Sequence, residues 1–351
     1  MGGWRLVVMG VKKVATIAAR SLVRGKPHHA QWMVTGKCNY QCLGCNAWKE
    51  QDKKELSTEE IKRGIDILKE AGIVELVLSG GNPLIRDDIG EIIDYATERF
   101  VTTVYDNGSM ATKKLDLLRK VDFVAISIDS LDEKKHDYIK NVSGAWKNAM
   151  ETVETLQKEG IKVSVSLTIS QINIAEIVEV TNYFTGKGIP IWYCLYSYDT
   201  TDDLKQLFHI GKSNEEFIIK DKEAMVKLCD TLMDMKKKNK QILITNKVLK
   251  TLKNLYAKEK RDWNCKALQN FLVIDPIGRI AGCHNHTNAG SIFDLPKNWK
   301  SEEYNTLREQ YKTCTQCTYL CYIFYSLYGT PTKNLALAKE QWKNATLLLK
   351  K

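Results

Sequence analysis

Proline is scarce, with six among 351 residues, and so few leave little room for long disordered or proline-rich tracts. Long apolar runs are missing too. No stretch approaches the roughly 20 residues that a spanning helix needs, and the apolar opening at 6–11 is cut short by Lys12 and Lys13. Neither a cleaved signal nor a transmembrane helix is expected. Acidic residues are absent from the first 49 positions, which hold eight lysines and arginines and so most of the net charge of +10; the rest of the chain stands at +2. That balance argues against a nucleic-acid-binding body, which needs many phosphate contacts. Ten cysteines are too few for a disulfide scaffold at this length, and eight of them fall into two tight groups, a pattern that favours metal. No internal repeat or low-complexity tract interrupts the chain.

The N-terminal segment has the pattern of an amphipathic basic helix. At 100° per residue Trp4, Val7, Val8, Val11, Val14, Ala15, Ala18 and Leu22 share one face, with Arg5, Lys12, Lys13, Arg20 and Arg24 opposite. Such a helix either packs on the domain with a solvated cationic back, or lies on an anionic membrane where each Lys or Arg contributes about 1 kcal/mol. Gly25-Lys26-Pro27 ends it. A cytoplasmic protein is expected, peripheral on the inner membrane face where the helix docks.

From Trp32 to Tyr198 short β-branched runs alternate with helical stretches, the pattern of a parallel sheet of βα units. Strands are predicted at 31–35, 74–79, 102–106, 123–128, 162–169 and 191–196, with helices at 58–71, 88–99, 113–119, 145–159 and 174–187. Six units fit an open doubly wound sheet or a partial barrel, and either places its chemistry beyond the C-terminal ends of the strands. A further helix is predicted at 221–240. A smaller domain then begins at 241, with a hairpin at 271–275 and 279–283 around Pro276-Ile277-Gly278.

Directly after the first strand stand Cys38, Cys42 and Cys45, three thiols in eight residues. Structural zinc closes a tetrahedron with four protein ligands, whereas three thiolates on a four-iron cluster leave one iron open for substrate or cofactor. The alternatives are zinc with a distant fourth ligand, such as His28 or His29, or inert buried cysteines. The C-x3-C-x2-C spacing after the first strand of a βα barrel resembles the signature of radical SAM enzymes. The resemblance covers about residues 30 to 200 and implies an α/β fold, a partial (β/α)6 barrel. It also implies a 4Fe–4S cluster on Cys38, Cys42 and Cys45, bound S-adenosylmethionine, and a one-electron donor such as ferredoxin or flavodoxin. In that family the cofactor is cleaved to a 5′-deoxyadenosyl radical that takes hydrogen from an unactivated carbon.

Further motifs extend the resemblance. Ser79-Gly80-Gly81-Asn82-Pro83 is similar to the Gly-Gly-Glu-Pro motif that contacts the methionine amino group, with Asn82 in place of Glu. An amide carbonyl accepts from an ammonium without the strength of a charged acceptor. Ser127, Asp129, Ser166 and Thr168 occupy positions where relatives contact ribose or carboxylate. Many relatives carry an aromatic residue just before the third cysteine; here it is Gly44, and Tyr40 is the candidate substitute.

The second group comprises Cys265, Cys283, Cys314, Cys317 and Cys321. One cysteine, a hairpin ending at Cys283 and a late C-x2-C resemble the cysteine-rich α+β twitch or SPASM domain appended to many radical SAM enzymes. The resemblance implies an auxiliary 4Fe–4S cluster on Cys265, Cys283, Cys314 and Cys317, with Cys321 as a possible replacement. Structural zinc suits this spacing equally well. His284 and His286 are expected to contact an anionic substrate group or to cap the loop. Cys194 and Cys229 read as buried, unreactive thiols, and the aromatic run 319–328 as core.

Enzymes with such tails most often modify ribosomal peptides. Only 37 residues precede Cys38, leaving no room for a leader-binding domain, and the basic helix suits a substrate lying in a bilayer. The expectation from sequence is therefore hydrogen abstraction from a membrane lipid chain and C–C bond formation, as in tetraether-type coupling. Modification of a peptide or small molecule is the alternative, and a non-enzymatic zinc module the weakest reading.

Overall fold

Strand β1 (His29–Thr35) is buried along nearly its whole length, as a central strand of a parallel sheet must be. The computed structural model describes residues 26–50, 54–198, 214–258, 261–314 except 285 and 287, then 317, 319–327, 339–340, 342–344 and 346. The N-terminal helix expected from the sequence lies outside these residues.

Five further strands follow β1 in chain order: β2 (Glu75–Gly80), β3 (Val101–Asp106), β4 (Phe123–Ser127), β5 (Val163–Ile169) and β6 (Ile191–Leu195). Each pairs in parallel with the one before it. Helices α1 (Thr58–Ala71), α2 (Ile89–Thr97), α3 (Leu115–Leu118), α4 (Glu133–Lys140), α5 (Ala145–Lys158) and α6 (Ile177–Gly186) fill the crossovers. This is the six-stranded βα arrangement expected from the alternation. Helix α1 shows the local logic: Ser57 and Glu60 form a reciprocal capping box at its start, and Gly72, at φ 103°, ends it in the left-handed region. Its Gly64 lies so close to Trp32 that a β-carbon there would sit 2.4 Å from the indole, which lets the helix pack tightly on β1.

Beyond β6 come α7 (Lys222–Lys238), α8 (Asn246–Lys258), β7 (Phe271–Ile274), β8 (Ile280–Ala281), α9 (Leu295–Asn298), α10 (Glu302–Thr313) and α11 (Leu320–Leu327). The hairpin forms where the sequence places it. Its strand β7 pairs in parallel with β1, from His29 with Phe271 to Trp32 with Ile274. The sheet is continuous in the order β6-β5-β4-β3-β2-β1-β7-β8, and one hydrophobic core runs from Trp32 through Phe271 to Ile323. The chain on either side of residue 241 thus shares a sheet and a core. No helix is expected from the sequence at α4, α8 or α10; α4 has only Tyr138 and Ile139 as apolar residues, whereas the buried Val248, Leu249 and Leu252 of α8 stand at a helical spacing that could have revealed it.

Candidate active site

The cysteine loop leaves β1 at Thr35 and is clamped from two sides. Gly81 N–H donates to the Thr35 carbonyl and Asn82 N–H to the Lys37 carbonyl, both at 2.8 Å. A β-carbon on Gly80 would stand 2.2 Å from the Thr35 oxygen, and one on Gly81 2.1 Å from the Lys37 oxygen. Only glycines allow the end of β2 to press this closely on the loop. On the other side Leu43 N–H donates to the Ile139 carbonyl at 3.1 Å, and the Asn141 amide donates to the Gln41 carbonyl at 3.3 Å, so the end of α4 holds the loop too.

Cys38, Cys42 and Cys45 open onto a cavity of about 320 Å³ at the C-terminal ends of the strands, together with Tyr40, Gly80, Gly81, Ser127, Asp129 and Thr168. These predicted site residues are brought together. Burial pushes the Cys38 thiol up to about 11 and Cys45 to about 12, and charge on the neighbouring thiols adds to the shift. Such thiols ionise only beside a positive partner. No three His, Cys, Asp or Glu side chains among the described residues close round a single ion, whereas a cluster offers a separate iron to each thiolate. His28 and His29 sit at the opposite end of β1, roughly 20 Å away at strand rise, and cannot complete a tetrahedron with the loop.

Three residues that the sequence reading passed over complete the cavity wall. Lys140 ends α4, and its ammonium lies 2.7 Å from Asp129 Oδ2, with both side chains over nine-tenths buried. Burial opposes the Lys140 charge, but Asp129 and Cys42 outweigh it and hold its pKa above the usual lysine value. Conversely, burial would raise the Asp129 carboxyl, but Lys140 and His136 hold it below the usual range. Asp129 Oδ1 accepts from Thr168 N–H at 3.0 Å, and His136 Nδ1 accepts from Asp129 N–H at 3.2 Å.

Asp106, at the end of β3, is the second. The Asn82 amide donates to its Oδ1 at 2.7 Å, and Gly108, Met110 and Ala111 N–H groups donate to Oδ2. Burial pushes its carboxyl up against those donors. Asn82 itself is 1% exposed, its carbonyl oxygen accepts from Leu84 N–H at 3.0 Å, and it is not among the described residues that line the cavity, whereas Asp106 is. The carboxylate missing at position 82 therefore stands one hydrogen bond away, on Asp106. The third is Tyr196. A β-carbon on Gly44 would meet its ring at 2.6 Å, so Tyr196, rather than Tyr40, fills the space that an aromatic before the third cysteine would take. Both Asp106 and Tyr196 end predicted strands, and the rule that chemistry lies at strand ends could have found them. Ser166 is turned below this cavity, with Cys194 Sγ 3.8 Å from its hydroxyl.

In the second group, Cys265 and Cys317 are pushed up by burial, Cys317 to about 12, and each feels charge from Cys314. Tyr311, whose hydroxyl accepts from Gly282 N–H at 3.1 Å, lies beside both Cys283 and Cys265. Cys321 lines a different, lower cavity with Cys194. His284 is buried against the Tyr319 and Tyr322 rings at 5.5 and 6.1 Å, and His286 meets the Tyr311 ring edge-on at 4.9 Å.

A parallel βα barrel with three thiols on the loop after its first strand defines a class of iron–sulfur protein. Residues 32–184 match the radical SAM superfamily, and 265–318 match SPASM, an iron–sulfur cluster-binding domain. The chain thus carries a radical SAM domain followed by a C-terminal SPASM domain. The matched SPASM segment contains Cys265, Cys283, Cys314 and Cys317 and ends before Cys321. The chain is 31% identical over 193 residues to AdoMet-dependent heme synthase of Oleidesulfovibrio alaskensis, covering 53% of this chain and 50% of that protein. It is 25% identical over 301 residues to the antilisterial bacteriocin subtilosin biosynthesis protein AlbA of Bacillus subtilis, covering 79% and 62%. It spans about half the length of the curated relatives it matches. Among solved structures, Streptococcus suis SuiB bound to S-adenosylmethionine superposes with a TM-score of 0.66 at 17% identity, over 81% of this chain and 68% of that one. The donor sets of the loop and the tail fit a radical SAM 4Fe–4S cluster, an auxiliary cluster and S-adenosylmethionine.

Proposed function

We propose that this chain is a radical SAM enzyme that modifies a peptide. When bound, the cluster and S-adenosylmethionine supply, on one-electron reduction, a 5′-deoxyadenosyl radical able to take hydrogen from an unactivated carbon. The observation that carries the proposal is the single cavity in which three thiols, the Lys140 ammonium and the Asp106 carboxylate meet. Cys38, Cys42 and Cys45 hold the cluster. Lys140, on the wall of the same cavity, would offset thiolate charge and offer a counter-charge to the methionine carboxylate. Asp106, oriented by Asn82, takes the acceptor role toward the methionine ammonium, with the charge that an amide lacks. Ser127 and Thr168, on the cavity wall, would contact the ribose, and Tyr196 supplies the ring beside Gly44. Cys265, Cys283, Cys314 and Cys317 hold an auxiliary cluster, and ferredoxin or flavodoxin is the fitting electron source.

A peptide is favoured over the lipid chain expected from the sequence. Two of the matches that run through both parts of the chain are to proteins named for a bacteriocin and for a peptide, AlbA at 79% coverage and a PqqA peptide cyclase at 76%. The heme synthase matches cover about half. The lipid expectation rested on residues 1–24, outside those described, and on the length ahead of Cys38. The test is anaerobic reconstitution with iron and sulfide, then reduction with dithionite in the presence of S-adenosylmethionine. Formation of 5′-deoxyadenosine is expected, and a fully reconstituted chain that forms none overturns the proposal.

A further inference from the structure

Beneath the cofactor cavity the barrel holds a second cavity of about 240 Å³. Its walls follow the period of two that turns alternate residues inward: His29 and Gln31 from β1, Glu75 and Val77 from β2, Val101 and Thr103 from β3. Helix α11 lies across the lower mouth. Its Phe324 meets Trp192 edge-on at 5.9 Å, and Tyr325 stacks on His29 at 3.6 Å. Gln31 and Tyr105 line both cavities, so the two spaces adjoin at these side chains.

The chemistry of the lower cavity is almost free of charge. No lysine or arginine is among its described lining residues. His29 lies 3.5 Å from Glu75, and the one acid present already has that partner. A ligand bearing several carboxylates would enter without a counter-charge, at the desolvation cost that keeps unpaired charges out of protein interiors. The volume is below the roughly 300 Å³ at which pockets for drug-sized ligands begin, so the space suits one side chain better than a macrocycle.

Resting on the peptide reading above, we infer that this cavity is the specificity pocket of the enzyme and receives one bulky apolar side chain of the peptide substrate, aromatic or branched aliphatic. Its backbone end then lies at Gln31 and Tyr105, next to the cofactor cavity.

The test uses the reconstituted enzyme with S-adenosylmethionine and saturation-transfer NMR of four probes: the N-acetyl amides of phenylalanine, leucine and glutamate, and coproporphyrin III. Phenylalanine and leucine amides are expected to bind and the glutamate amide to fail. Val77→Phe and Thr103→Phe, which fill the cavity from different strands, each weaken the apolar probes by about tenfold or more. They leave iron content and S-adenosylmethionine affinity unchanged. Phe324→Ala, which enlarges the cavity, gains binding of N-acetyl-tryptophan amide, so the inference stays testable where a filling variant folds poorly. Equal binding of the glutamate amide, apolar binding indifferent to both filling variants, or coproporphyrin III as the probe that they displace would each overturn it. Absence of 5′-deoxyadenosine in the parent protein would count against the enzyme reading instead, whatever the probes do.

Discussion

At the upper end of the barrel, where the strands finish, three thiols, two carboxylates and an ammonium crowd one cavity; at the lower end, where the same strands begin, aromatic and aliphatic walls surround a His–Glu pair. Strands β1 to β4 contribute side chains to both cavities, while β5 adds Thr168 only above and β6 adds Trp192, Tyr193 and Cys194 only below. The difference comes from what closes each end. Above, the closures are loops held by backbone hydrogen bonds, which can present polar groups toward the axis. Below, the closure is α11, an apolar helix whose Leu320, Phe324 and Tyr325 face the cavity. Chemistry and selection are thereby separated along one axis, with Gln31 and Tyr105 between them.

The sharpest way to break this comparison is to empty each cysteine group in turn. About eight irons per chain are expected after reconstitution, falling to about four in a Cys38, Cys42 and Cys45 to Ala variant and to about four in a Cys265, Cys283, Cys314 and Cys317 to Ala variant. Only the first should reduce 5′-deoxyadenosine to background. Iron retained in full by the tail variant, or zinc in the parent protein that this variant loses, would remove the auxiliary cluster from the account.

Next in size is Lys140. Its removal in Lys140→Met leaves Asp129 buried without its partner, a change that typically costs about 3–5 kcal/mol. Anaerobic urea unfolding should register that loss, and Lys140→Arg should restore most of it. A loss below about 1 kcal/mol would mean that the pair is not buried as described.

The same cluster makes stability depend on pH. Burial, with the Lys140 ammonium nearby, pushes the His136 pKa down to about 4, below the roughly 6.5 of an unfolded histidine. Between those values the unfolded chain binds the proton and the folded one does not. Stability from this residue is therefore full above about pH 6.5 and is lost as pH falls toward about 4, by up to about 3 kcal/mol. Unfolding midpoints at pH 7, 5.5 and 4 should show the slope, and His136→Gln should flatten it while still accepting from Asp129 N–H.

The smallest expected effect concerns Gly44. Alanine there forces its β-carbon into the Tyr196 ring and should cost about 1–3 kcal/mol, as overpacking does. Tyr196→Ala should relieve that strain, so that in the double variant Gly44→Ala costs little. Additive losses in this cycle would show that the two residues do not share the space.

Much of this was legible in the chain. The β-branched runs at 74–79 and 162–169 and the helical stretch at 58–71 predicted the βα order, and the cysteine spacing marked the loop after β1 as the candidate cluster site. Gly80 and Gly81, singled out by the resemblance of their motif, line the cavity. Lys140 was missed because its helix, Glu133–Lys140, has only two apolar residues, Tyr138 and Ile139, too few for a periodic signal. Asp106 was counted as the last residue of a strand rather than as the partner of Asn82, 24 positions away.

Local spacing therefore determined what could be written from one turn or one strand: the thiol loop, the order of strands and helices, and the hairpin between Cys265 and Cys283. The tertiary structure alone decided which distant residues meet. It put the Asp106 carboxylate beside Asn82, Lys140 on the wall shared with Cys42, and the Tyr196 ring against Gly44. It also turned Cys321 toward Cys194 and joined β7 to β1. Each of these joins parts of the chain far apart in sequence, and no periodicity of 2 or 3.6 residues carries information over that distance. Such contacts arise only when the strands close their sheet and the helices bury their apolar faces against it.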